Sequence, residues 1–90
     1  MNLDGKQYIV TGGSRGLGRA IVEALAEARA TVISAQRNAA EGVDHANVHN
    51  YGVDLRDRVS IAEFCRQMPG AINGVIGNAA LLGDICRIEA

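Results

Sequence analysis

Tyr8-Ile9-Val10-Thr11-Gly12-Gly13-Ser14-Arg15-Gly16-Leu17-Gly18 is the stretch on which the reading of the fold turns. A strand-like apolar run enters it, a glycine-rich turn fills its middle, and a helical repeat leaves it. The first N–H groups of a helix have no partner within the helix, and the backbone dipole is positive at that end. A strand feeding a helix through glycines therefore presents donors to an anion. The glycines let the main chain come close to a phosphate and take φ values that side chains disfavour. Gly18 also lets the helix lie close to the sheet. The competing reading is a tight strand-to-helix turn without a ligand.

Working outward, Lys6 to Thr11 is expected as a strand buried on both faces. After the glycines, Leu17, Ala20, Ile21, Ala24, Leu25 and Ala28 recur at three- and four-residue steps, the signature of one apolar helical stripe. Arg19, Glu23 and Glu27 fall on the other side. Thr31 to Ala35 reads as a second strand. Gln36 to Asn47 is a polar connection with room for one short helical turn. Val48 to Val53 reads as a third, weaker strand. Asp57 is placed to cap a helix reaching about Gln67, with Val59, Ile61, Ala62 and Cys65 as inward positions. Met68-Pro69-Gly70 ends it, and Ile72 to Asn78 reads as a fourth strand. Strands alternating with helices give an α/β fold with a parallel sheet. Right-handed crossovers set the order three, two, one, four. One partial Rossmann-type domain over residues 1–90 is the expected organisation.

Composition narrows the function classes. Hydrophobic residues are 48% of the 90, too many for a disordered chain, while aromatics are 3%, so Ala, Val, Ile and Leu must build the core. A formal net charge of −1 offers no basic excess for a polyanion, and nucleic acid is not an expected partner. No apolar run approaches the ~20 residues of a membrane span, and the stretch beginning Asn2-Leu3-Asp4 does not read as a secretory h-region. A cytoplasmic protein is expected. Cys65 and Cys86 lack metal-ligand spacing and read as thiols in a reducing compartment. His45 and His49 stand without partners at ligand or triad spacing. No metal site is expected.

Thr11-Gly12-x-x-x-Gly16-x-Gly18 resembles the cofactor loop of the short-chain dehydrogenase/reductase family. Asp54-Leu55 after the third strand matches the place where that family carries an Asp at the adenine ring. Gly77-Asn78-Ala79-Ala80 matches an Asn-Asn-Ala-Gly signature at Asn78 and Ala79, with Gly77 and Ala80 departing from it. Arg29-Ala30 stands where relatives usually have Gly-Ala, so the first helix is expected to end differently here. The resemblance implies a nicotinamide dinucleotide held by Thr11, Gly12, Ser14, Arg15, Gly16, Leu17, Gly18, Arg37, Asp54, Leu55, Asn78 and Ala79. Asp54 and Asp57 can alternatively be no more than turn or cap residues. At the end of the second strand an acidic residue favours NAD by bonding the ribose 2′-OH. This chain has Ser34-Ala35-Gln36-Arg37 there, with Gln36 where NAD-preferring relatives place Asp. Arg15 and Arg37 suit a 2′-phosphate, since guanidinium groups bind phosphate in planar, multidentate fashion. NADP(H) is the expected cofactor, with NAD second.

Reduction of a carbonyl needs a proton donor at its oxygen. The family uses a Tyr with a Lys four residues later, and an upstream Ser. Here Tyr8 is followed four residues on by Gly12 and Tyr51 by Leu55, and Lys6 is the only lysine. No catalytic residue is therefore assigned. The chain is expected to be the N-terminal NADP(H)-binding part of a carbonyl- or alcohol-directed oxidoreductase, cut after about the fourth strand and inactive alone. An apolar fourth-strand edge would then need covering, by the remaining part of such an enzyme or by a second copy. A non-catalytic nucleotide-binding or interaction module is the alternative.

Overall fold

Ile9 and Val10 are neighbours on a strand, point to opposite faces, and are both fully buried. That requires a sheet covered on both sides. The computed structural model, which describes residues 2–12, 16–68 and 72–77, shows how it is built. In chain order the elements are β1 (Gln7–Thr11), α1 (Gly16–Glu27), β2 (Thr31–Gln36), β3 (Val48–Gly52), α2 (Arg58–Arg66) and β4 (Gly74–Ile76). The connection after β2 contains a single 3-10 turn, Ala39–Glu41. All strand pairs are parallel, and the order is β3-β2-β1-β4. This is the doubly wound, Rossmann-type arrangement expected from the alternation of elements.

Each face carries its own apolar cluster. On one, Val22 and Ala26 of α1 meet Val10, Val32, Val43 and Val48. On the other, Ile61 and Phe64 of α2 meet Ile9, Ile33, Ala35, Val53 and Ile72. Phe64 also meets the Tyr51 ring edge-to-face, with centroids 5.5 Å apart. Burying side chains of this size contributes about 1.5–3 kcal/mol each, so Ile61 and Phe64 are the main attachment of α2.

The helical stripes differ in phase from the periodicity reading. Leu17, Ala20 and Ala24 are exposed, Ile21, Leu25 and Ala28 are half-buried, and Val22 and Ala26 point inward. So many positions of α1 are apolar that periodicity alone spans a broad arc, and contact with the sheet selects the part that is used. In α2, Val59 is 69% exposed and Phe64 is the buried position that was not expected. Val59 lies in the first turn, and its main-chain N–H is taken by the Asp57 cap at 2.9 Å. Ala62 and Cys65 are half-buried. Cys65 is disulfide-bonded, which corrects the thiol reading; Cys86 and the expected Pro69-Gly70 stop lie outside the described residues.

The end of α1 is a second correction. Arg29 takes the left-handed conformation, with φ of 74°, that glycine usually supplies. Ala30 N–H donates to the Leu25 carbonyl at 3.0 Å and Arg29 N–H to that of Ala26 at 3.0 Å. These two bonds are a Schellman closure. The helix therefore ends as a glycine-terminated one does, with an arginine at the strained position.

Candidate functional site

The C-terminal ends of the strands meet at one edge of the sheet, where open parallel sheets bind ligands. β1 ends at Thr11, whose hydroxyl donates to the Ile76 carbonyl of β4 at 3.4 Å. Gly12 follows with φ of 70°, and its N–H donates to the Ala35 carbonyl at 2.9 Å. That bond carries the β1–β2 ladder one residue past Thr11. Gly16, with φ of 53°, opens α1, whose first turn contains no acidic residue. The first turn of α1 thus sets no carboxylate beside the N–H groups with which a helix begins.

Between the ends of β1, β2 and β3 lies an open cleft of about 270 Å³. Gly12, Ala35, Gln36, Arg37, Val53, Asp54, Leu55 and Arg56 line it. Its far wall is held in place by Val53 N–H donating to the Gln36 carbonyl at 2.8 Å. Asp54 N–H donates to the Ser60 hydroxyl of α2 at 2.9 Å, so α2 positions this residue. One carboxylate oxygen of Asp54 accepts from Arg56 N–H at 3.0 Å and Arg56 Nε at 3.3 Å. Leu55 packs on the α2-side cluster beneath. The cleft thus combines an apolar floor, one carboxylate and two guanidinium groups. Such a mix suits a flat, partly polar ligand bearing an anionic group.

Gln36 behaves otherwise than its place in the sequence suggests. Its side chain is almost fully buried. Ser34 Oγ donates to its Oε1 at 2.6 Å, and its Nε2 donates to Asn50 Oδ1 at 3.4 Å and to the Tyr51 carbonyl at 3.5 Å. The amide is therefore engaged on both its atoms within the protein. Arg37, the next residue, is exposed on the cleft rim.

Of the residues singled out from sequence, Gly12, Arg37, Asp54 and Leu55 share the cleft. Thr11 and Gly16 flank it as the end of β1 and the start of α1. Leu17 is 78% exposed in the first turn of α1, and Gly18 is half-buried one residue further. Ser14, Arg15, Asn78 and Ala79 lie outside the described residues. Asp57 is the N-cap of α2, as one of its two readings held. His45 accepts from Asn47 N–H in a local turn and His49 is exposed. Among the described residues, no cluster of His, Cys, Asp and Glu could hold a metal ion, and no helix is long and apolar enough to cross a membrane. Sequence reasoning missed Arg56 and Asn50. Arg56 stands two residues beyond Asp54, and that proximity was the available signal. Asn50 carried no signal, because it reaches Gln36 only across two paired strands.

A glycine turn into a helix, a cleft at the strand ends and the order 3-2-1-4 define a dinucleotide-fold protein. The chain belongs to the short-chain dehydrogenase family, whose family model matches residues 6–89. It is 34% identical over 91 residues to a probable oxidoreductase of Streptomyces lividans, covering 91% of this chain and 31% of that protein. It is 38% identical over 92 residues to the 3-oxoacyl-[acyl-carrier-protein] reductase FabG of Vibrio harveyi, covering 93% of this chain and 38% of that one. Among solved structures, the Pseudomonas aeruginosa RhlG/NADP active-site complex is similar with a TM-score of 0.75 at 25% identity, over 86% of this chain and 35% of that chain. The chain therefore spans about a third of the length of these relatives.

Proposed function

We propose that this chain binds NADP(H) as the cofactor-holding portion of an oxidoreductase that passes a hydride between nicotinamide and a carbonyl or alcohol. The observation that carries the reading is the convergence of Gly12, Arg37 and Asp54-Leu55, far apart in sequence, on one cleft. The donor set fits the adenosine half of the dinucleotide. At about 270 Å³ the cleft is just under the ~300–1,000 Å³ of whole-ligand pockets, so it suits part of a dinucleotide. In this reading Asp54 and Leu55 hold the adenine, Arg37 with Arg15 meets the 2′-phosphate, and Thr11, Gly12, Ser14 and Gly16 to Gly18 hold the pyrophosphate. Asn78 and Ala79 flank the cofactor from the end of β4. When bound, the cofactor supplies the hydride; the residues of this chain bind and orient it. Neither tyrosine of these 90 residues has a lysine four positions on, which supports a proton donor supplied from elsewhere. The chain alone is proposed to bind cofactor without turnover.

Isothermal titration with NADP⁺ and NAD⁺ tests this. Tighter binding of NADP⁺, by about tenfold for the charge-assisted contacts of one guanidinium, is expected. Equal affinities would overturn the NADP assignment, and no binding of either would overturn the reading.

An interaction role is favoured by one separate observation. β4 pairs with β1 along one edge, and its other edge has no strand partner among the described residues. An unpaired parallel edge is a template for another strand. Gly16→Val separates the roles. Nucleotide binding should collapse, whereas association through β4, followed by sedimentation velocity, should persist.

A further inference from the structure

We propose that Asn50, on the edge strand β3, is a specificity-determining positioning residue that holds Arg37 in place for the 2′-phosphate. The inference rests on the NADP(H) reading above. Arg37 makes no hydrogen bond or ion pair within the described residues, so its aim depends on the backbone that carries it. That backbone is the connection from Gln36 to Val43. Its two ends are buried, and its middle is a single capped turn in which Ala40 N–H donates to Asn38 Oδ1 at 3.0 Å.

Asn50 fastens this connection from below. Its Nδ2 donates to the Val43 carbonyl at 2.9 Å, and its Oδ1 accepts from Gln36 Nε2 at 3.4 Å. One amide thus ties the end of β2 to the far end of the connection. Gln36 is itself oriented by the Ser34 hydroxyl at 2.6 Å. Gly42 supplies an independent observation. A Cβ built there would overlap the Asn50 side chain, so the connection lies directly on the amide. Asn is suited to this task because it donates and accepts from one planar group. The polar chain Ser34–Gln36–Asn50–Val43 is mostly buried and has no unsatisfied side-chain atom among the described residues. Satisfied buried networks of this kind favour a single arrangement. Gln36 therefore acts on the cofactor site from beneath, through the segment bearing Arg37, rather than through a contact of its amide with the ribose.

The test uses 2′,5′-ADP and 5′-AMP as calorimetric probes on the full chain, since they differ only by the 2′-phosphate. Asn50→Asp is nearly isosteric and replaces the donor to Val43 with an acceptor. It should lower the preference for 2′,5′-ADP about 3- to 10-fold, while the affinity for 5′-AMP changes by less than about twofold. Gly42→Ala presses on the same contact from the other side and should do the same, which keeps the test decisive if either variant folds poorly. Arg37→Gln serves as reference and should abolish the preference. Equal weakening of both probes would reduce Asn50 to a structural residue and overturn the inference. So would an unchanged preference in both variants while Arg37→Gln loses it, and the NADP(H) reading would then stand. A wild-type chain without preference for 2′,5′-ADP would overturn that reading, and the inference with it.

Discussion

Replacing Gly77 is the sharpest test of how the end of β4 closes on the end of β1. Gly77 has φ of 109°, outside the range that side chains tolerate, including the left-handed helical well. A Cβ there would overlap Thr11 Oγ1 and sit 3.1 Å from Thr11 Cβ and 3.2 Å from the Thr11 carbonyl oxygen. For Gly77→Ala the backbone term costs about 1–3 kcal/mol. Moving the Thr11 hydroxyl away, or spreading the strands, costs about 1–3 kcal/mol as overpacking. Alanine also restricts the unfolded chain, which offsets about 0.4–1 kcal/mol. The net is about 3 kcal/mol of destabilisation, or roughly 12–24 °C in Tm for a domain of this size. Urea and thermal unfolding followed by far-UV circular dichroism read it directly. Thr11→Ala in the same background should recover the overlap part and leave the φ part, giving a coupling of about 1–2 kcal/mol in a double-mutant cycle. Gly77→Asn, which restores the family's residue, carries the same backbone term and should also destabilise. A loss below about 0.5 kcal/mol for Gly77→Ala, the usual range for surface changes, would refute the reasoning.

Arg29→Gly should raise stability by about 0.5–1 kcal/mol in urea unfolding, because relief of the left-handed strain exceeds the entropy that glycine adds to the unfolded chain. Phe64→Ala should cost about 3–5 kcal/mol, since the ring is fully buried and meets Tyr51; Val59→Lys, at the exposed start of the same helix, should stay within about 0.5 kcal/mol. Asp57→Ala should cost about 1 kcal/mol through loss of the α2 cap and leave nucleotide affinity unchanged by calorimetry. Asp54→Asn, one residue beyond the end of the Gln36–Val53 hydrogen bond, should weaken 5′-AMP and 2′,5′-ADP alike, in contrast to Arg37→Gln.

Much of the architecture was legible because local patterns answered to local physics. β1 reads as a doubly buried strand from Tyr8-Ile9-Val10 alone, and Asp57 announces a cap from its place before an apolar helical repeat. The 3-10 turn after β2 was foreseen only as a short helical turn, since three residues leave almost no periodic signal. The helix faces were less legible. An alanine-rich helix such as α1 is apolar over more than half its circumference, so Leu17 and Val22 look equivalent until a sheet chooses between them. The departure at Arg29 was visible, but its outcome was not. Whether a helix tolerates a left-handed arginine depends on how strongly Ala30 and β2 hold the next residues in place.

By itself, the order of strands, glycines and helical repeats determined the parallel sheet, its strand order and the place of the glycine loop. These follow from backbone propensity, burial on two faces and the handedness of crossovers, all of which act between near neighbours in the chain. Tertiary structure alone decided that Gln36 turns inward to Asn50, and that Gly42 rests on that amide. Those contacts depend on side-chain distances between segments that only the folded sheet brings together, and hydrogen bonding falls off too steeply with distance and angle for sequence spacing to reveal them.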